Sequence, residues 1–133
     1  MLTMNKERVG GRPCLVLAHA DDDYAVRVTA SFRRLGWDVH RTDNGAEARG
    51  LARELAPNLV ILDTHLADES GWLTCDKLTR EMPRLKVLLV GDQPASQCEN
   101  FASFVGATVL VDRLDGLLAI VTEFADQAVP AVN

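Results

Sequence analysis

Five short apolar runs divide the chain at regular intervals, with longer stretches of helical spacing between them. The runs are CLVLA (14–18), WDVH (37–40), NLVILD (58–63), KVLLVG (86–91) and ATVLV (107–111). The third, fourth and fifth are nearly continuous in Val, Ile and Leu, the pattern of strands covered on both faces. Between the runs, apolar residues recur every three or four positions: Tyr24, Val28, Phe32 and Leu35; Ala48, Leu51, Ala52 and Leu55; Trp72, Cys75, Leu78 and Met82; Cys98, Phe101, Ala102 and Val105. A last set comprises Leu114, Leu117, Leu118, Val121 and Phe124. Strict alternation of strand and helix requires crossover connections, which are right-handed and build a parallel sheet.

Local punctuation agrees with this division. Gly36 follows the first helix, Asn44-Gly45 opens the second and Pro57 follows it. Ser70 and Ser96 are placed to cap the third and fourth helices, and Pro83 stops the third. The expected architecture is α/β: a five-stranded parallel sheet, doubly wound, flavodoxin-like (βα)5, with strand order 2-1-3-4-5. Residues 1–12 read as a flexible lead, 13–126 as one domain and 127–133 as a frayed tail.

A chain of 133 residues is long enough for one domain with a substantial core. Its net charge of −5 argues against binding a nucleic-acid backbone, which needs a clustered basic face. Cys14, Cys75 and Cys98 lie far apart with no CxxC pair, a poor disulfide framework and a poor zinc site that suits a reducing cytoplasm. No apolar run approaches the roughly 18 residues of a membrane helix. The opening MLTMNKERVGGRP lacks the apolar centre of a signal peptide.

In doubly wound sheets, ligands gather beyond the carboxyl ends of the strands. Those ends carry His19-Ala20-Asp21, Asp63, Gly91-Asp92 and Asp112-Arg113. A carboxylate closing a buried strand is costly unless it is hydrogen-bonded, paired or solvated at a mouth. Asp63 is therefore the first candidate site residue, with a capping or turn role as the plainer alternative.

The motifs around these positions resemble the receiver domain of two-component response regulators over about residues 13–126. LVILDTHLADESG places Asp63 at the end of the third strand with Gly71 eight residues on. GWDV, DNGAEA and FVGATVLV match the family's recurring turns. The resemblance implies phosphorylation of one aspartate by a histidine kinase, with Mg²⁺ held by acids after the first strand. It further implies a Thr or Ser after the fourth strand and a Lys ending the fifth, both binding phosphoryl oxygens. Phosphoryl transfer depends on such positioning and charge neutralisation.

Carried over by position, Asp63 matches the phosphoacceptor, and His65 would offer only its backbone carbonyl to the metal. An ungapped register through the first helix puts His19 and Ala20 where the family has its two metal-binding acids. Asp21 then falls at the helix start, as an N-cap or first-turn acid and a further candidate ligand, with Asp22 and Asp23 solvated. Shifting the chain by two residues would restore the acids and shorten the first helix. Gly91 stands at the hydroxyl position, Arg113 replaces the Lys, Leu114 the following Pro, Ala67 the Pro after the acceptor, and Leu110 the switching aromatic. Arg113 keeps a cation whose fork can hold a carboxylate or phosphate. The acid pocket is degenerate, which puts Mg²⁺ in doubt.

Three roles are open to His19: a protonated partner of Asp63, a ligand in a nitrogen–oxygen metal site with Asp21 and Asp63, or a neutral ring hydrogen-bonded at the strand end. Two functions follow. One is an atypical single-domain receiver in a phosphorelay, with Asp63 as phosphoacceptor and output through protein contacts. The other is a phosphorylation-independent module whose fourth helix, fifth strand and fifth helix bind a partner or a second copy. Partners would be a histidine kinase or phosphotransfer protein and a downstream effector, with neither nucleic acid nor membrane. An enzyme is not expected: aspartate-nucleophile phosphatases need a second acid where His65 stands, and no GxGxxG follows the first strand. Cys75 and Cys98 read as packing residues, Trp37 and Trp72 as core anchors, and Arg49, Arg53 and Glu54 as solvated surface.

Overall fold

The structure, a computed structural model, describes residues 11–91 and the backbone of a strand at 108–111. Its elements run β1 (Cys14–Ala18), α1 (Asp22–Arg34), β2 (Asp38–Thr42), α2 (Gly45–Leu55), β3 (Leu59–Asp63), α3 (Gly71–Glu81), β4 (Val87–Gly91) and β5 (Thr108–Val111). Strands β2-β1-β3-β4 lie side by side in that order, all parallel, and β5 pairs with β4. The fold is an α/β flavodoxin-like parallel sheet. The proposed fourth and fifth helices, Ser96, Cys98 and Arg113 lie outside the described residues, as does the side chain of Leu110.

Near-continuous apolar strands are needed because both faces of the sheet are covered. Leu15, Leu17, Leu59, Ile61, Leu88 and Val90 pack on one face with Ala25, Val28 and Phe32 of α1 and with Trp37 and Val39. The alternate residues Val16, Ala18, Val60, Leu62, Val87 and Leu89 meet Ala48 and Ala52 of α2 and Cys75 and Leu78 of α3 on the other. Phe32 and Trp37 meet edge to face at 5.1 Å, anchoring the turn from α1 into β2. Burial pushes the Cys75 thiol up to about 12, with the neighbouring Asp76 carboxylate adding to the shift, so this cysteine is a packing residue.

Helix boundaries follow from local chemistry. Asp21, Asn44 and Ser70 are the N-caps of α1, α2 and α3, each accepting backbone N–H bonds from the first turn. Helix α3 ends before Pro83. One core assignment differs from the sequence expectation. Leu35 is not a core residue: α1 stops at Arg34, Gly36 turns the chain at φ +92°, and Leu35 is left 47% exposed. Helix α2 closes on Ala56 in the left-handed region (φ 47°), a conformation that costs a residue with a Cβ about 1–2 kcal/mol. No helix among the described residues is long and apolar enough to cross a membrane.

Candidate functional site

Asp63 ends β3 at the carboxyl edge of the sheet, its side chain 17% exposed. Its Oδ1 accepts the backbone N–H of His65 at 3.2 Å. Its Oδ2 faces His19 Nε2 across 3.6 Å. His19 follows directly on β1, which pairs with β3, so the parallel register brings the two side chains together.

His19 is held on every side. Its backbone N–H donates to the Thr42 carbonyl at 3.0 Å. Its own carbonyl accepts Nε and Nη2 of Arg41, at 3.2 and 2.8 Å. The third guanidinium nitrogen of Arg41 pairs with Asp22 at 2.8 Å, so one residue of the edge strand pins the loop into α1. The imidazole stacks on Tyr24 with centroids 4.2 Å apart. Its Nδ1 accepts the Asp21 N–H at 3.1 Å, so the ring proton sits on Nε2, aimed at the Asp63 carboxylate. The ring is thus hydrogen-bonded at the strand end.

The remaining acids nearby serve the fold. Asp21 Oδ1 accepts the N–H groups of Asp23 (3.0 Å) and Tyr24 (3.3 Å), spending that oxygen on the cap of α1. Ala20 is exposed and offers only a methyl group. Mg²⁺ demands several oxygen ligands in near-octahedral geometry. His19 beside Asp63 offers an imidazole and Ala20 a methyl, neither of them an oxygen ligand for that ion. Among the described residues, no three His, Cys, Asp or Glu side chains are grouped to hold a metal.

Across the site, the loop from β3 to α3 is fastened to its neighbours. Asp68 accepts the N–H groups of Gly45 (2.6 Å) and Ala46 (2.9 Å) at the start of α2. Those backbone bonds hold its carboxyl below the usual range. Glu69 accepts Thr74 Oγ1 at 2.6 Å and pairs with Arg49 and Lys77, each at 3.2 Å. Burial pushes its carboxyl up, but the bonds from Thr74, Arg49 and Lys77 outweigh that and hold it low. Arg49 is therefore part of a tertiary ion-pair cluster and not ordinary solvated surface, whereas Arg53 only meets Glu81 at an exposed pair.

Two glycines approach the end of β3 closely, one at Asp63 and one at Thr64. A Cβ on Gly71 would lie 2.1 Å from the Asp63 carbonyl oxygen, and a Cβ on Gly91 would lie 2.6 Å from Thr64 Oγ1. Thr64 is a site residue that sequence reasoning passed over, since it follows Asp63 as an ordinary polar strand-end residue.

Comparison with known proteins now decides the family. The response regulator receiver domain model matches residues 17–112. The chain belongs to that family. The receiver domain is 31% identical over 86 residues to the polar-differentiation response regulator DivK of Brucella anthropi, covering 59% of this chain and 70% of that one. It is 37% identical over 84 residues to the probable transcriptional regulatory protein TcrX of Mycobacterium tuberculosis, covering 62% of this chain and 36% of TcrX. A CheY-like receiver domain protein from Methanospirillum hungatei superposes with a TM-score of 0.79 at 18% identity, over 88% of this chain and 96% of that one. Vibrio cholerae CheY4 does so with 0.75 at 16%, over 89% and 98%. The chain is thus a response regulator receiver domain, and its Asp63 lies at the sheet edge beside His19.

Proposed function

We propose that this receiver domain signals through protein contacts, without Mg²⁺-dependent phosphorylation of Asp63. The observation that carries the reading is His19 Nε2 standing 3.6 Å from Asp63 Oδ2 while Asp21 caps α1. The imidazole N–H supplies a partner to the carboxylate that a cation would otherwise supply, and it brings no oxygen ligand. The domain acts as a binding module and not as an enzyme. Its partners are a histidine kinase or phosphotransfer protein and a downstream effector in the cytoplasm. The net charge of −5 favours protein partners over nucleic acid.

A second reading keeps Asp63 as the phosphoacceptor of a phosphorelay, with Arg113 as the phosphoryl partner. What favours it is the retained Asp63 carboxylate, still 17% exposed at the sheet edge.

Incubation with acetyl phosphate and Mg²⁺, read by intact mass, separates the two. The wild type is expected to stay unmodified, while His19→Asp/Ala20→Asp gains a phosphate-sized adduct that Asp63→Asn abolishes. An adduct on the wild type, lost in Asp63→Asn alone, overturns the proposal in favour of the second reading.

A further inference from the structure

Gly91 ends β4 directly against Thr64, the residue that follows β3. A Cβ at position 91 would lie 2.6 Å from Thr64 Oγ1, 3.1 Å from Cγ2 and 3.5 Å from Cβ. Real Cβ atoms do not approach that closely, so the threonine already occupies the side-chain volume of position 91.

Thr64 has nowhere to withdraw. Its N–H donates to the Val90 carbonyl at 3.0 Å, and its carbonyl accepts the Gly71 N–H at 2.9 Å, tying its backbone to β4 and to α3. On the α3 side, a Cβ on Gly71 would lie 2.9 Å from Thr64 Cα, so the residue is wedged between two glycines. It is 2% exposed. The one freedom left is rotation about χ1, which a β-branched side chain resists. That rotation would also break the contact between Thr64 Oγ1 and His65 Nδ1 at 3.1 Å. His65 in turn donates its N–H to Asp63 Oδ1.

We infer that Thr64 is a positioning residue: it closes the end of β4 to any side chain and couples position 91 to Asp63 through His65. The hydroxyl missing at position 91 cannot be restored by one substitution, because Thr64 fills its place. The coupling rests on packing and hydrogen bonds alone, so it stands or falls independently of whether Asp63 is phosphorylated.

A mutant cycle on the full chain tests it. Gly91→Ser is expected to lower Tm by about 5 °C, as overpacking of a domain this size does. In the Thr64→Ala background the same substitution is expected to cost about 1 °C or less, since the space has been vacated. Gly91→Ala, which adds only the Cβ, takes its place if Gly91→Ser does not fold. The His65 backbone amide and imidazole nitrogen resonances supply a readout that simple destabilisation does not move. They are expected to shift in the Gly91 variant measured well below its Tm. Equal Tm losses in both backgrounds, or unmoved His65 resonances in the Gly91 variant, overturn the inference.

Discussion

The stretch ADDD (20–23) is denser in acid than LADES (66–70), yet the second ties elements together and the first largely does not. In the first, Asp21 caps its own helix, and Asp22 and Asp23 keep 87% and 74% of their side chains exposed. In the second, Asp68 holds the start of α2 from more than twenty residues away, and Glu69 sits only 12% exposed between Arg49 and Lys77. Both stretches flank Asp63, and neither offers it a cluster of oxygen ligands. The difference teaches that acid density marks a site poorly; what an oxygen already accepts decides what it can still bind.

The comparison is most open to breakage at Gly71, where the fastened loop enters α3. Gly71→Ala forces a Cβ against the Asp63 carbonyl, which is backbone and cannot swing aside. The expected loss is about 3 kcal/mol by urea unfolding, the upper end of overpacking penalties. A loss of only a few tenths would mean that the loop is slack and the contrast with ADDD is false.

Next comes Glu69. Removing it strands Arg49, 22% exposed, beside the Thr74 hydroxyl, and leaves Lys77 without its carboxylate. Glu69→Ala is expected to cost about 2 kcal/mol, less than for a fully buried pair because the cations retain water. Non-additivity with Arg49→Ala in a double-mutant cycle checks that the pair itself is the source.

Legibility in the sequence divides along the same line. The caps Asn44 and Ser70 were readable because cap and recipient lie within four residues, and the strands were readable because burial on two faces demands unbroken apolar runs. The helical spacing of Leu35 misled only because the helix ended one residue before it. Glu69 with Arg49 was not readable: the pair spans twenty residues, and the sequence alone does not set how α2 is rotated against the loop. Asp63 stood out because a carboxylate is anomalous at the end of an apolar strand. Thr64 did not, since its role depends on an across-sheet register that places it against Gly91. Gly91 was recognised as lacking a hydroxyl, while the cause of its smallness lay just beyond the end of β3.

The pH dependence sharpens the contrast further. Asp68 and Glu69 are held below their ordinary values of 3.8 and 4.5. A depressed carboxylate contributes stability that is complete above the unfolded value and is lost as pH falls through the folded one. The sign is therefore fixed: the deficit of Glu69→Ala relative to wild type should be full near neutrality and shrink once pH falls below about 4.5. Thermal melts from about pH 6 to about pH 3 measure it. A deficit that stays constant across this range would show that packing, and not charge, is what Glu69 contributes.

The smallest effects belong to ADDD, and here the stretch divides internally. Asp21→Ala removes the acceptor for two backbone N–H groups at the start of α1 and is expected to cost about 1 kcal/mol. Asp23→Ala removes only an exposed pair with Arg27, four residues on, and is expected to cost about 0.3 kcal/mol, vanishing in high salt. Urea unfolding of both variants at low and high salt reads the two mechanisms apart, because a cap hydrogen bond persists under screening and a solvated ion pair does not. If Asp23→Ala matched Asp21→Ala and resisted salt, the acid run would be acting as a unit, and its neighbourhood to Asp63 would need a role beyond capping.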